Sequence, residues 1–292
     1  MKILLTGASG FIGKHLLYAL QQNAYSVTAC THRNSIESST KTRSIKIDFM
    51  QMQHAEDWLP HLKNIDVVIN SVGIITETKR QKFAMLHYRA PVSLFQACEI
   101  AGVQRLIQIS ALGADDTPIT PYHRSKKSAD DVLRNSSLNW FILQPALIYG
   151  EGGKSSALFQ RLSHLPVIPL IGEGLQMIQP VHISDVVATV LCCLDQEIAT
   201  QQTIKVVGEH AISYKDWLIS LRNKQSKAYF LKIPLAVLMP LSRLTKALNL
   251  SLLTPDNLRM LQQNNVASST KLSKPLGRKP RSPTQRQRES LK

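Results

Sequence analysis

The chain has 292 residues, 43% of them hydrophobic, and a formal charge of +15. That length holds one large domain, or one domain with a smaller lobe, and the composition is that of a globular protein. No apolar run is long enough for a membrane-spanning helix, and nine scattered histidines and four cysteines without ligand-type spacing give no reason to expect a metal site.

The first strand is expected at Lys2–Thr6, where Ile3, Leu4 and Leu5 form an unbroken apolar run. A core strand that early is expected to leave no room for a signal peptide. Gly7, Gly10 and Gly13 follow at G-x-x-G-x-x-G spacing, and Phe11, Ile12, Leu16, Leu17 and Leu20 then recur at helical spacing. The glycines therefore sit on a strand–turn–helix junction. Gly7 permits the tight turn, Gly10 lets the backbone approach a pyrophosphate, and Gly13 lets the helix pack on the strand. The helix N-terminus adds free N–H groups and the positive end of its dipole. Gly7, Ser9, Gly10, Phe11, Ile12 and Gly13 are candidate cofactor-binding residues.

A second strand is expected at Ser26–Thr31, and its end bears on cofactor choice. An acid there binds ribose hydroxyls, whereas an arginine suits a 2′-phosphate. Thr31-His32-Arg33-Asn34 contains no acid, so Arg33, with His32, is the candidate phosphate clamp. The expected cofactor is NADP(H), with NAD as the alternative. A third strand, Ser44–Ile47, runs into Asp48, a candidate acceptor for an adenine amino group or else a turn residue. A fourth, Ile65–Asn70, runs into Ser71-Val72-Gly73, where Val72 and Gly73 leave space for the cofactor across the strand ends. A helix over 84–101, stopped by Gly102, and a fifth strand at Val103–Ser110 complete the alternation. The fold class is α/β, with a doubly wound parallel sheet.

Twelve residues after Ser110 comes Tyr122-His123-Arg124-Ser125-Lys126. Tyr122 follows Pro121 and opens a helix, so the i, i+4 spacing puts phenol and ammonium on one face. A cation close to Tyr122 is expected to lower its pKa and make it a usable acid–base group.

Together these features resemble an extended or atypical short-chain dehydrogenase/reductase, of the NAD-dependent epimerase/dehydratase-like kind. Gln144-Pro145-Ala146-Leu147-Ile148-Tyr149-Gly150 resembles that family's RPxxxYG segment, and Gln179–Val186 resembles its PVHVxDV segment. Ile109–Asp115 (ISALGAD) and the C-terminal half are most similar to the subgroup related to the dinucleotide-binding accessory subunit of respiratory complex I. The resemblance covers roughly residues 1–265. It implies a Rossmann-like domain over 1–150, with returns up to about 210, and a small C-terminal α+β substrate lobe over 151–265. It implies that Tyr122 exchanges a proton with a substrate oxygen, that Lys126 holds the nicotinamide ribose and tunes Tyr122, and that Ser110 orients the substrate. Pro145 and Ile148 would pack near the nicotinamide, and His182 and Asp185 would fix the joint between lobes. The chain departs from the pattern at Gln144, which replaces an arginine. Its short Ser110-to-Tyr122 gap leaves Thr117 and Thr120 as alternatives to Ser110.

In the second half, helices are expected at Ile183–Leu194 and Tyr214–Arg222, and a strand at Thr203–Val207. Residues 230–253 are Leu-rich and read as a helical cover or as an amphipathic surface for a membrane or a lipophilic substrate, with Pro240 expected to break the helix. Residues 271–292 carry eight Lys/Arg against one acid, so 266–292 is expected to be a disordered basic tail. Without interleaved aromatic residues the tail is a poor nucleic-acid site. The expected partner is a small-molecule substrate; a membrane surface is the alternative contact, and the oligomeric state is open. The expected location is the cytoplasm, with peripheral membrane contact. Two functions stand: an oxidoreductase or epimerase/dehydratase acting through Tyr122 and Lys126, or a non-catalytic nucleotide-binding accessory or assembly protein near a membrane or quinone system.

Overall fold

The structure is a computed structural model describing residues 1–32, 36–222, 229–247, 254–269, 272 and 276–284. It divides into two compact units, Met1–Pro145 with Val186–Ile204, and Ala146–Asp185 with Lys205–Lys292. The first boundary falls five residues before the expected one. Residues 186–204 belong to the first unit, and 205–292 to the second.

The first unit is built on a sheet. Strands β1 (Lys2–Thr6), β2 (Ser26–Thr31), β3 (Thr42–Lys46), β4 (Val67–Asn70), β5 (Arg105–Ile109) and β6 (Trp140–Pro145) pair in parallel, and the sheet order is β11-β6-β5-β4-β1-β2-β3, with β11 at Gln202–Val206. β4 and β5 are buried at every position, Asn70, Arg105 and Gln108 included, as expected for strands covered on both faces. The order reverses direction between β1 and β4, so their carboxyl ends flank a crevice.

Helix α1 (Phe11–Gln22) follows β1 and buries Gly13, Leu16, Leu17 and Leu20. Leu16 and Leu20 are fully buried, each contributing about 2 kcal/mol by leaving water. Helix α2 (Ala55–Leu62) was not expected; His54 and Asp57 form its capping box, and Trp58 at its centre donates to Ser93 Oγ at 3.0 Å. The helix expected over 84–101 is a π-helical segment, Ala84–Arg89, running into α3 (Ala90–Ala101). Gly102 ends it in the left-handed conformation at φ +67°. Helix α4 (Pro121–Arg134) starts at Thr120, whose side chain accepts from the His123 N–H.

The second unit contains β7 (Ile148–Tyr149), α5 (Lys154–Ser163), β8 (Val167–Ile171), β9 (Met177–Ile178) and β10 (Val181–His182). After α6 (Ile183–Cys192), whose body belongs to the first unit, come β12 (Ile212–Ser213), α7 (Tyr214–Ser220), β13 (Tyr229–Ile233), α8 (Leu235–Ala247) and α9 (Pro255–Gln262). The core of the second unit gathers Tyr149, Phe159, Ile168, Leu170, Ile178, Tyr214, Trp217 and Leu218. The Leu-rich stretch begins as a strand, because β13 pairs in parallel with β8. Pro240 does not end α8, which runs through it; proline removes one hydrogen bond to the carbonyl four residues back, and the helix continues past that gap.

The tail is also corrected where it is described. Residues 276–284 are tied into the second unit: Arg278 pairs with the fully buried Asp185 at 2.5 Å, and the Arg281 N–H donates to the same carboxylate at 2.7 Å. Tyr149 Oη donates to the Ser282 carbonyl at 3.2 Å, and Pro280 is buried. Composition predicted disorder because it counts charges without their partners. Among the described residues no helix is long and apolar enough to cross a membrane.

Candidate functional site

The glycine turn has the expected geometry. Gly7 sits at φ +70°, and a side chain there would press on the Ser71 hydroxyl at 3.0 Å. The Gly10 N–H donates to the Gly7 carbonyl at 2.8 Å, closing the turn. A Cβ on Gly13 would collide with the Gly7 carbonyl and stand 2.8 Å from Ala8 Cα, so α1 packs directly on the turn. No side chain caps α1 at Gly10, and its first turn holds no acid. Its N–H groups and dipole are thus left for an anion.

A groove opens in front of this turn, lined by Gly7, Ser9, Gly10, Thr31, His32, Asp48, Val72 and Gly73, among others. Six of the candidate cofactor residues meet there: Gly7, Ser9, Gly10, Asp48, Val72 and Gly73. Phe11, Ile12 and Gly13 stand behind it as the first turn of α1. Arg33 lies outside the described residues. Asp48 Oδ1 accepts from the Met50 N–H at 3.0 Å and lies 3.6 Å from His32 Nδ1, so it is both a turn residue and a groove residue. Thr31 was missed: its hydroxyl is buried on the groove wall and finds no partner among the described residues. An orphaned polar atom there is what a bound ligand would satisfy.

Lys126 joins α4 to this groove. It is 3% exposed, and Nζ donates to the Ile109 carbonyl at 3.0 Å and to the Val72 carbonyl at 3.3 Å. A Cβ on Gly73 would lie 3.2 Å from Nζ, so glycine there keeps the ammonium at the groove wall. Burial lowers the Lys126 pKa to about 8, with Asp130 pulling the other way.

Tyr122 stands one turn earlier on the same helix face. Its ring meets Phe83, His87 and His123 edge-on, with centroids 5.9, 5.5 and 5.3 Å away. The expected lowering of its pKa is overturned: burial and the negative charge of Asp130 push the phenol up to about 12. Lys126 does not offset this, because its ammonium is directed at two backbone carbonyls.

His87, also missed, fixes this corner. Its Nε2 accepts from the Ile74 N–H at 3.0 Å, so Nδ1 carries the proton and donates to Ser125 Oγ at 2.9 Å; Ser125 in turn donates to the Tyr122 carbonyl at 2.7 Å. Burial and Lys126 hold the ring neutral. His123 bonds to Thr120 Oγ1 at 3.0 Å and to the Leu112 carbonyl, pinning the loop after β5 to the start of α4.

Ser110 is buried, and its hydroxyl donates to Asp130 Oδ2 at 2.5 Å. Of its alternatives, Thr120 serves as the α4 cap and Thr117 is exposed in the loop. Asp130 was not singled out in the sequence, although its position four residues after Lys126 and eight after Tyr122 is a readable same-face spacing.

Pro145 ends β6 and its carbonyl accepts from the Leu112 N–H at 2.9 Å. Ile148 lies in the second unit, where it pairs with Val181. There His182 Nδ1 is 2.7 Å from Ser184 Oγ and the His182 ring packs edge-on against Tyr149, while Asp185 receives Arg278.

Comparison with known proteins agrees with this architecture. The family model described as "NAD dependent epimerase/dehydratase family" matches residues 3–208. A ceramide reductase of Caulobacter vibrioides is 26% identical over 189 residues, which is 64% of this chain and 58% of the reductase. The Arabidopsis thaliana mitochondrial NADH dehydrogenase [ubiquinone] 1 alpha subcomplex subunit 9 is 28% identical over 200 residues, 65% of this chain and 49% of that subunit. The chain thus matches about half the length of each of these two relatives. Among solved structures, UDP-glucuronic acid 4-epimerase from Bacillus cereus in complex with UDP-glucuronic acid and NAD has a TM-score of 0.74 at 22% identity, covering 97% of this chain and 96% of that one. That likeness establishes the shared fold.

Proposed function

The chain belongs to the NAD dependent epimerase/dehydratase family, and on that premise we propose that it binds a nicotinamide dinucleotide in the groove at the glycine turn and acts on a carbonyl or alcohol group of a small molecule. The observation that carries this reading is Lys126. One buried ammonium bonds to the Val72 carbonyl on the groove wall and to the Ile109 carbonyl at the end of β5, and so ties the helix of Tyr122 to the groove.

The residues fit the cofactor. Gly7, Gly10 and Gly13 make a cradle that a side chain would fill, the α1 N-terminus is open to a pyrophosphate, and Thr31 lines the same groove. When bound, a nicotinamide supplies the hydride donor or acceptor. Tyr122, with its pKa raised to about 12, holds its proton at neutral pH and suits the role of acid toward a substrate oxygen. Lys126 holds the helix of Tyr122 to the groove wall, and His87 fixes the backbone of the turn that carries it.

NADP(H) is the finer reading. It rests on Arg33 in the sequence and on the absence of an acid from Thr31 to Asn34. A second reading, a nucleotide-binding accessory protein at a membrane surface, is favoured by one observation. Leu231 and Val237 of the Leu-rich stretch are 55% and 58% exposed, and Tyr229 just before it is 64% exposed. Tyr122→Phe separates the two: an enzyme loses carbonyl-dependent NADPH oxidation and keeps NADPH binding, whereas an accessory protein shows no oxidation to lose.

A further inference from the structure

Resting on that acid–base reading, we propose that Asp130 is a positioning residue for Ser110, its protonation state deciding whether the Ser110 hydroxyl proton is held inward or offered to an oxygen in the site. Asp130 is fully buried and shares the helix face of Tyr122 and Lys126. Its Oδ2 accepts the Ser110 proton at 2.5 Å, and its Oδ1 has no partner among the described residues. A carboxylate with one bare buried oxygen is poorly solvated, which favours the neutral acid. Burial accordingly raises Asp130 to about 7, within reach of ordinary pH changes.

The charged and titratable groups around it are few. On its own helix, Lys126 and Arg134 favour the carboxylate and Asp131 opposes it, while the neutral Tyr122 phenol lies two turns away. Ser110, just after β5, favours the carboxylate by donating to it. The π-helical segment packed on α4 brings His87, held neutral; α3 carries Cys98, held as a neutral thiol, and Glu99, which accepts from Ser137; β6 brings no titratable side chain.

A hydroxyl has one proton and two lone pairs. With Asp130 ionised, the Ser110 proton is committed to Oδ2, and Ser110 presents only lone pairs elsewhere. With Asp130 protonated, the carboxyl O–H donates to Ser110 Oγ and the Ser110 proton is released to another acceptor. A ketone or aldehyde oxygen only accepts, whereas an alcohol also donates. The protonated pair therefore suits an oxygen that only accepts, and the ionised pair one that can donate.

The test is a titration of the full chain carrying ¹³C in its aspartate carboxyls, followed by NMR from about pH 5 to about pH 9. The Asp130 resonance is identified by its loss in Asp130→Asn, or by its displacement in Asp130→Glu if the asparagine variant does not fold. An inflection near 7 that moves upward by about half a pH unit or more in Ser110→Ala supports the proposal, because the bond favouring the carboxylate is gone. A carboxyl ionised down to about pH 5, or an inflection indifferent to Ser110→Ala, overturns it. NADPH and NADH titrations of the same samples separate the two readings. Nucleotide binding without an Asp130 inflection overturns this inference alone. An inflection without nucleotide binding overturns the reading of the groove and leaves the Ser110–Asp130 coupling supported.

Discussion

A Cβ placed on Gly13 would run into the carbonyl oxygen of Gly7, the first residue of the turn on which α1 packs. Backbone, not a flexible side chain, stands in the way, so Gly13→Ala must displace the turn or the helix. The expected cost is about 1–3 kcal/mol of stability together with at least about a tenfold loss of nucleotide affinity. Thermal denaturation and a fluorescence titration with NADPH measure the two. A variant with unchanged melting and unchanged binding would show that the contact is not maintained in solution.

Arg33→Ala is expected to weaken NADPH by about tenfold more than NADH, because only NADPH carries the 2′-phosphate. Equal losses for both nucleotides would remove the preference and leave NAD as the cofactor.

Asp130 makes stability fall as pH rises across a defined window. Its folded pKa of about 7 lies above the ordinary carboxyl value of 3.8, so between these values the folded state keeps a proton that the unfolded state has released. The contribution is fully present below about 4 and is lost as pH rises through about 7. Wild-type melting temperature should therefore drop between pH 5 and pH 7 by several degrees more than that of Asp130→Asn, on the order of 4–8 °C per kcal/mol for a small domain and less for a large one. Parallel profiles for the two proteins would refute the assignment.

Arg278→Ala removes the ion pair to buried Asp185. A loss of about 1–3 kcal/mol and faster proteolysis within 276–284 are expected. Cleavage rates equal to wild type would show that the pair does not hold the segment down.

Much of the first unit was legible in the sequence because its signals are local. β1 and β2 begin and end at the expected residues, and Gly102 stops α3 in the left-handed conformation that glycine tolerates. The second unit was less legible. β13 exists through pairing with β8, some sixty residues away, and no periodicity near Tyr229 announces it. The tail misled for the same reason: Asp185, which neutralises Arg278, lies far upstream. In the site, the Y-x-x-x-K spacing located Tyr122 and Lys126, but their electrostatics depend on burial. Proximity to a cation suggested a lowered phenol pKa. The ammonium is instead turned toward Val72 and Ile109, and burial dominates. His87 and Asp130 escaped notice because an isolated histidine and a helical aspartate look like ordinary surface residues until the fold buries them.

The central claim is that the glycine turn holds a nicotinamide dinucleotide within working reach of Tyr122. The most direct measurement is a paired titration of wild type and Tyr122→Phe with NADPH, followed by NADPH oxidation with a panel of small carbonyl compounds. Saturable binding by both proteins is expected, with the wild-type oxidation reduced at least about a hundredfold in Tyr122→Phe. Absence of NADPH and NADH binding by the wild type, or equal oxidation by both proteins, would contradict it.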